Sequence, residues 1–223
     1  DAATACSEAV KVMSARHFDA VGVRHAVRAH PLGRIDGDRI FQAKVHRYST
    51  RELLGGDAGL AGLFREVWLV DIVQPWPARL AARRHRNVRL IEADLTECLD
   101  RLPEPPAEPT RFLSEAGIDW VASVNLLSQL ALPPQDWLRA HRPDWSEAAV
   151  DRHGAALMTR HLAWLGRFQA PVCLLADLEQ TRLDARGALV EWRDFRPLLA
   201  GWRPVSTWRW DLAPPGELAA GQT

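Results

Sequence analysis

The sequence is short of several features, and each shortage narrows what the protein can be. Its three cysteines, Cys6, Cys98 and Cys173, lie far apart and form no CxxC pair. This spacing argues against a disulfide framework and favours a reducing cytoplasm as the location. No apolar run approaches the roughly 18–20 residues that a membrane span needs. We therefore expect no membrane partner.

Neither sign of charge is in excess, because 28 lysines and arginines face 28 aspartates and glutamates. Such a balance gives no overall basic footprint for nucleic acid, which is therefore not an expected partner. The only lysines, Lys11 and Lys44, do not follow the glycines of a phosphate-binding loop. What is present, 223 residues of which 47% are apolar, suits a globular chain with a substantial core.

The chain divides by composition into three parts. Residues 1–54 hold both lysines and the only tyrosine, Tyr48, and they form a divergent N-terminal segment that can belong to the same domain. Residues 55–215 carry the regular strand and helix patterns and form the core. Residues 216–223 read as a tail.

Within the core, apolar runs of strand length alternate with helical patterns, and a hairpin with Gly187 at its turn comes late. This order predicts an α/β fold: a Rossmann-like doubly wound mixed sheet with an antiparallel C-terminal edge. The predicted strands are Val67–Val73, Val88–Ala93, Ile118–Val124, Val172–Ala176 and Ser206–Leu212, and the predicted helices are Trp76–His85 and Ser146–Phe168.

Polar side chains stand at the ends of three predicted strands. Asp71 and Asp94 come at or just after two successive strands, where α/β sheets bind ligands and where an acid can accept ribose hydroxyls. The alternative is that each aspartate caps the turn or helix that follows it. Asn125 ends the third strand, and its amide either holds a ligand group or satisfies loop backbone.

Several sequence segments around these residues resemble those of class I S-adenosylmethionine-dependent methyltransferases, in particular an uncharacterised bacterial group. They are Leu-Val-Asp-Ile-Val, Glu-Ala-Asp-Leu-Thr, Ser-Val-Asn-Leu-Leu-Ser-Gln-Leu and Leu-Ala-Asp-Leu-Glu, and the resemblance spans about residues 55–215. It implies S-adenosylmethionine as cofactor, with Asp71 and its neighbour Ile72 at the ribose and Asp94 with Leu95 at the adenine. Asn125, which is also assigned to cofactor binding, falls where that family places its catalytic or substrate-orienting loop.

One part of the family pattern is absent, namely a G-x-G-x-G turn after the first strand. The nearest segment is Gly55-Gly-Asp-Ala-Gly59, preceded by the weak strand Ile40–Tyr48. Gly55 and Gly56 are accordingly assigned to cofactor binding, although the spacing of the motif is not reproduced.

The leading hypothesis is therefore an S-adenosylmethionine-dependent methyltransferase that acts on an unknown acceptor, with no catalytic base assigned. One alternative is an NAD-dependent oxidoreductase, which needs a G-x-G-x-x-G motif that this sequence lacks. Another is a non-catalytic Rossmann-like scaffold that has lost its cofactor site. No metal site is predicted, since His153 and His161 are eight residues apart, whereas helical metal pairs prefer a spacing of four.

Overall fold

The structure is a computed structural model, and it describes residues 64–74, 76–184, 187–202, 204 and 207. Gly55, Gly56 and the predicted strand Ile40–Tyr48 lie outside these residues. The predicted strand Ser206–Leu212 does as well, apart from Thr207.

The described residues form six strands and three α-helices. The strands are β1 (Val67–Asp71), β2 (Val88–Glu92), β3 (Val121–Val124), β4 (Val172–Leu175), β5 (Glu179–Leu183) and β6 (Leu189–Asp194). The helices are α1 (Trp76–Ala82), α2 (Leu132–His141) and α3 (Glu147–Leu165), and Leu99–Arg101 makes one 3-10 turn.

The strands pair two by two. β1 is parallel to β2, with Asp71 opposite Glu92, and β3 is parallel to β4, with Val124 opposite Leu175. β5 and β6 form an antiparallel hairpin. The alternation of strands and helices agrees with the sequence pattern. Within the residues described, however, the strands form three separate two-stranded sheets, so one doubly wound sheet stays a prediction.

Aromatic rings join the two parallel pairs near the beginnings of their first strands. Phe64, just before β1, stacks on Trp120, just before β3, with ring centroids 5.5 Å apart and planes 10° from parallel. Trp68 in β1 packs edge-on against Phe112, in the long loop that leads to β3. Such contacts bury much apolar area per residue and hold the two pairs together at this end.

Helix α3 forms as its sequence predicts. Ser146 is its N-cap, and the Ser146 hydroxyl accepts a hydrogen bond from the Ala149 amide at 3.3 Å. This bond satisfies one of the amides that a helix leaves free in its first turn. Helix α2 was not predicted, although Pro133 and Pro134 at its start are typical of a first helical turn.

The main apolar core lies where α3 meets the segment after β6. Leu127, Leu162, Phe195 and Leu199 are buried together, and Met158, Leu174 and Trp202 are among the residues that pack around them. The loop after β3, helix α3 and the segment after the hairpin thus share one core. This packing fixes the positions of the loops at the carboxyl ends of β3 and β4.

Candidate functional site

The carboxyl ends of β3 and β4 carry several polar side chains. Asn125 follows β3 directly, and its backbone amide donates to the Leu175 carbonyl at 2.8 Å, which continues the parallel pairing by one residue. The backbone of Asn125 is left-handed, with φ of 54°. Asparagine tolerates this conformation better than most residues do.

The Asn125 side chain presents a buried acceptor. No described residue donates a hydrogen bond to its Oδ1 atom, which is shielded from solvent. An amide oxygen in this state carries an unmet desolvation cost, and a ligand that donates a hydrogen bond relieves that cost. The residue therefore suits a donor-bearing ligand.

Asp177, two residues after β4, supplies the charge of the cluster. It is 6% exposed, and its Oδ2 atom accepts hydrogen bonds from Ser128 Oγ at 2.7 Å and from Gln180 Nε2 at 2.8 Å. Burial raises the pKa of the Asp177 carboxyl, while the two hydrogen bonds act in the opposite direction. Both donors engage one oxygen, and no residue in the described chain donates to Oδ1.

The cluster therefore joins three segments around one carboxylate. Ser128 comes from the turn after β3, Asp177 from the loop after β4 and Gln180 from β5. Two oxygen acceptors, the Asp177 carboxylate and the Asn125 amide, follow adjacent parallel strands. Acceptors without matching protein donors are suited to a cationic donor group such as an ammonium. We call these four residues the acceptor cluster.

Only part of this cluster is predictable from the sequence. Asn125 was predicted as a site residue, whereas Ser128, Asp177 and Gln180 were assigned no role. The signal for Asp177 was visible, because Leu-Ala-Asp-Leu-Glu places an aspartate just after a buried strand, as Leu-Val-Asp does for Asp71. Ser128 and Gln180 have no such local signature, since only the folded chain brings them to Asp177.

The structure places Asp71 and Asp94 at neighbouring strand ends, as expected. The Asp71 carbonyl accepts a hydrogen bond from the Ala93 amide at 2.9 Å, which brings the two segments side by side. Asp71 Oδ1 accepts from the amide of Ile72 at 2.7 Å, and the Ile72 side chain is 38% exposed. Asp71 ends β1 and is half-buried.

Asp94 is occupied by its own loop. Its Oδ1 atom accepts from the amide and the hydroxyl of Thr96 at 2.8 and 2.6 Å, and its Oδ2 atom accepts from the amides of Cys98 and Leu99, both at 3.0 Å. Four protein donors surround this carboxylate, which favours the capping alternative over a ligand role. Leu95 beside it is half-buried.

A buried glutamine that the sequence reasoning missed joins β1 to β2. Gln74 Nε2 donates to the carbonyls of Leu69 and Ile91 at 2.9 and 3.2 Å. The backbone N–H of Gln74 donates to Glu92 Oε1 at 3.1 Å. Arg79 pairs with the same glutamate and donates to the Gln74 carbonyl at 2.8 Å. This network closes the carboxyl end of the first strand pair with protein groups.

His153, Cys98 and Cys173 are all shielded from solvent. His153 packs edge-on against Trp145, and burial lowers its pKa. Cys98 and Cys173 are buried thiols, and burial raises the pKa of Cys98. Across the part of the chain that the structure describes, no group of three His, Cys, Asp or Glu residues is placed to hold a metal ion. Nor does that part contain a helix long and apolar enough to cross a bilayer.

Comparison with known proteins yields short matches to proteins named phosphatidylserine decarboxylase proenzyme. A stretch of 33 residues is 69% identical to the phosphatidylserine decarboxylase proenzyme of Verminephrobacter eiseniae, covering 15% of this chain and 12% of that protein. The proteins of the same name from Polaromonas and Alkalilimnicola ehrlichii are 64% identical over 34 residues and 54% identical over 41 residues. The chain thus spans only 12–14% of the length of these three relatives. No protein-family profile and no solved structure matches.

These matches overturn the functional predictions made from sequence. The prediction of a class I methyltransferase is wrong, because the relatives are named phosphatidylserine decarboxylase proenzymes. The same finding overturns S-adenosylmethionine as cofactor and the oxidoreductase alternative, whereas the partner stays a prediction. The physical source of the error is that an acid at a strand end serves a loop cap as well as a ribose, as Asp94 shows.

Proposed function

We propose that this chain acts on phosphatidylserine in a decarboxylase-type reaction. The observation that carries the proposal is the stretch of 33 residues that is 69% identical to a phosphatidylserine decarboxylase proenzyme. The reaction breaks the bond between the serine α-carbon and its carboxylate and releases carbon dioxide, and the electron pair left on that carbon takes up a proton from solvent.

The acceptor cluster supports the proposal through the chemistry of the lipid headgroup. Phosphatidylserine carries an ammonium group, which is a cation with three hydrogen-bond donors. The Asp177 carboxylate and the buried Asn125 amide oxygen are acceptors that no described residue saturates. We assign them the role of binding the headgroup ammonium, with Ser128 and Gln180 as positioning residues that hold Asp177 in place.

We place this function in the cytoplasm. The cysteines are few and scattered, and the two in the described chain are buried thiols rather than disulfides. A reducing compartment is the ordinary location for such a pattern.

The test uses the full 223-residue chain and phosphatidylserine labelled with carbon-13 at the serine carboxyl, dispersed in detergent micelles. We expect labelled carbon dioxide and phosphatidylethanolamine to appear in equal amounts, and not with heat-denatured protein. Asp177→Asn removes the charge that pairs with the ammonium, so the rate falls by about tenfold or more, as expected for a lost charge-assisted contact. Asp119→Asn changes an exposed aspartate before β3 and is the matched control.

The outcomes separate clearly. No release of carbon dioxide by the full chain overturns the proposed function. If the wild type releases carbon dioxide and neither Asp177→Asn nor Asp119→Asn changes the rate, the proposed function stands but the assignment of the acceptor cluster is overturned.

A further inference from the structure

The turn after β1 and the outer side of helix α1 expose apolar side chains together. Ile72 is 38% exposed, Val73 47%, Trp76 63% and Leu80 47%. Trp76 and Leu80 are four residues apart, which places them on one side of the helix. The opposite side, represented by Ala78, is buried. Globular proteins seldom expose so many large apolar side chains in one place without a use for them.

Unpaired cations border this apolar surface. Residues 72–91 contain five arginines and no aspartate or glutamate. Arg79 and Arg89 are neutralised by glutamates. Arg83, Arg84 and Arg86 are exposed and make no ion pair with any residue in the described ranges. The even charge of the whole sequence hides this local excess.

Tryptophan and arginine are in direct contact at the border. The Arg83 guanidinium lies 5.4 Å from the centre of the Trp76 ring. Trp76, Leu80 and Arg83 thus form one continuous strip, with Ile72 and Val73 next to its N-terminal end. Tryptophan at the level of lipid headgroups, apolar side chains below it and arginines at the phosphates are the pattern of a surface that lies on a bilayer.

We propose that this surface, the α1 patch (Ile72, Val73, Trp76, Leu80, Arg83 and Arg84), docks the protein on an anionic lipid bilayer. The inference rests on the proposed function, because a protein that acts on phosphatidylserine has to reach an anionic membrane surface. Charge complementarity selects this occupant, because the two unpaired arginines of the patch, together with Arg86 beside it in the sequence, suit anionic headgroups. Nucleic acid would satisfy the arginines but would leave Ile72, Val73 and Leu80 in water. The proposal departs from the expectation that the protein has no membrane partner, since that expectation rested on hydrophobic run length and net charge alone.

The experiment measures binding of the full chain to vesicles by co-sedimentation. Three compositions are used: phosphatidylcholine alone, phosphatidylcholine with phosphatidylglycerol, and phosphatidylcholine with phosphatidylserine. We expect equal binding to both anionic mixtures, weak binding to phosphatidylcholine alone, and loss of binding at high salt, because charge and not headgroup identity drives docking. Arg83→Gln lowers the partition coefficient about fivefold, the effect of one basic residue at a membrane surface.

Matched controls come from the hairpin. Trp192 is a tryptophan with 55% exposure in β6, and Arg193 is an exposed arginine that is paired with Glu191. Trp76→Ala weakens vesicle binding, whereas Trp192→Ala and Arg193→Gln leave it unchanged. Equal effects of Trp76→Ala and Trp192→Ala would overturn the assignment of the patch. Binding of RNA without binding of vesicles would also overturn it. The same holds if the chain forms a dimer that Trp76→Ala dissociates and does not bind vesicles.

The decarboxylation assay separates this inference from the function on which it rests. Decarboxylation of phosphatidylserine in micelles without any binding to vesicles overturns the docking surface and keeps the function. Equal binding to both anionic vesicles without release of carbon dioxide keeps the docking surface and overturns the function.

Discussion

Ser123 in β3 and His161 in α3 form a hydrogen-bonded pair in the protein interior, with the serine Oγ 3.0 Å from the histidine Nε2. They are 4% and 1% exposed, and no described residue pairs with the histidine Nδ1. Because the ring is shut off from water, desolvation lowers the pKa of His161 to about 4. The pair therefore joins strand to helix in the protein interior.

The buried histidine makes stability depend on acidity. In the unfolded chain His161 has its ordinary pKa of 6.5, and in the folded chain the pKa is about 4. The unfolded state thus binds more protons between these values. The contribution of His161 to the free energy of unfolding should be fully present above pH 6.5. Below that pH it should fall by about 1.4 kcal/mol per pH unit, until the folded pKa is reached.

Urea unfolding at pH values from 7.5 to 4.5 measures this slope. His161→Gln removes the group and should flatten most of the slope; His153, whose pKa is also lowered by burial, contributes a smaller part in the same direction. His141→Gln on the exposed side of α2 is the control and should keep the wild-type slope. A variant at position 161 with an unchanged slope would contradict the prediction.

Helices α2 and α3 approach closely at Gly154. A methyl group built on Gly154 would lie 2.6 Å from Gln135 Nε2 and 3.0 Å from the Ala131 side chain. Gly154→Ala should therefore lower the free energy of unfolding by about 1–3 kcal/mol, even though alanine favours helix by about 1 kcal/mol. Thermal unfolding measures the change.

Two further variants test the cause of that loss. At Gly166 an added methyl group meets only ordinary contacts, the nearest at 3.5 Å, so Gly166→Ala should not destabilise. In a Gln135→Ala background the added methyl group at 154 has more room, and its cost should shrink. Additive effects of Gly154→Ala and Gln135→Ala would speak against a clash between these two residues.

Asp94 should matter for stability through its loop. Its carboxylate accepts hydrogen bonds from Thr96, Cys98 and Leu99, and Asp94→Ala leaves these donors unpaired. We expect a loss of about 2–3 kcal/mol in the free energy of unfolding, measured with urea. Asp100→Ala, an exposed position in the same loop, is the control. Equal stability of the Asp94→Ala variant and the wild type would show that water replaces the carboxylate at no cost.

Local structure followed from the sequence more closely than function did. Helix α3 begins at its predicted cap, Ser146, and the hairpin turns at Gly187, whose φ is 79°. Capping and turn formation involve residues close together in the chain, so sequence patterns carry them. Pairing between distant strands depends on packing that no local pattern encodes, and the full sheet accordingly remains a prediction.

The site was harder to predict for the same reason. Ser128 and Asp177 are 49 residues apart and meet only because β3 and β4 are parallel neighbours. Conversely, Asp94 matched a ligand-binding pattern locally, yet amides two to five residues further on surround it. A polar residue at a strand end is therefore a ligand group only where the loop after it supplies too few donors.

Asn125 allows conformation and ligand binding to be separated. Its φ of 54° suits glycine and disfavours alanine, so Asn125→Ala should be less stable than Asn125→Gly by about 1–2 kcal/mol, the cost of a left-handed residue that has a side chain. Both variants lack the amide oxygen that we assign to the headgroup ammonium. Both should therefore bind glycerophosphoserine, the headgroup without acyl chains, several-fold more weakly in calorimetry, and Asp119→Asn should bind it as the wild type does. If a stable Asn125→Gly protein binds glycerophosphoserine with wild-type affinity, Asn125 does not belong to the acceptor cluster. If both variants bind weakly despite their different stabilities, the loss of affinity comes from the missing side-chain amide.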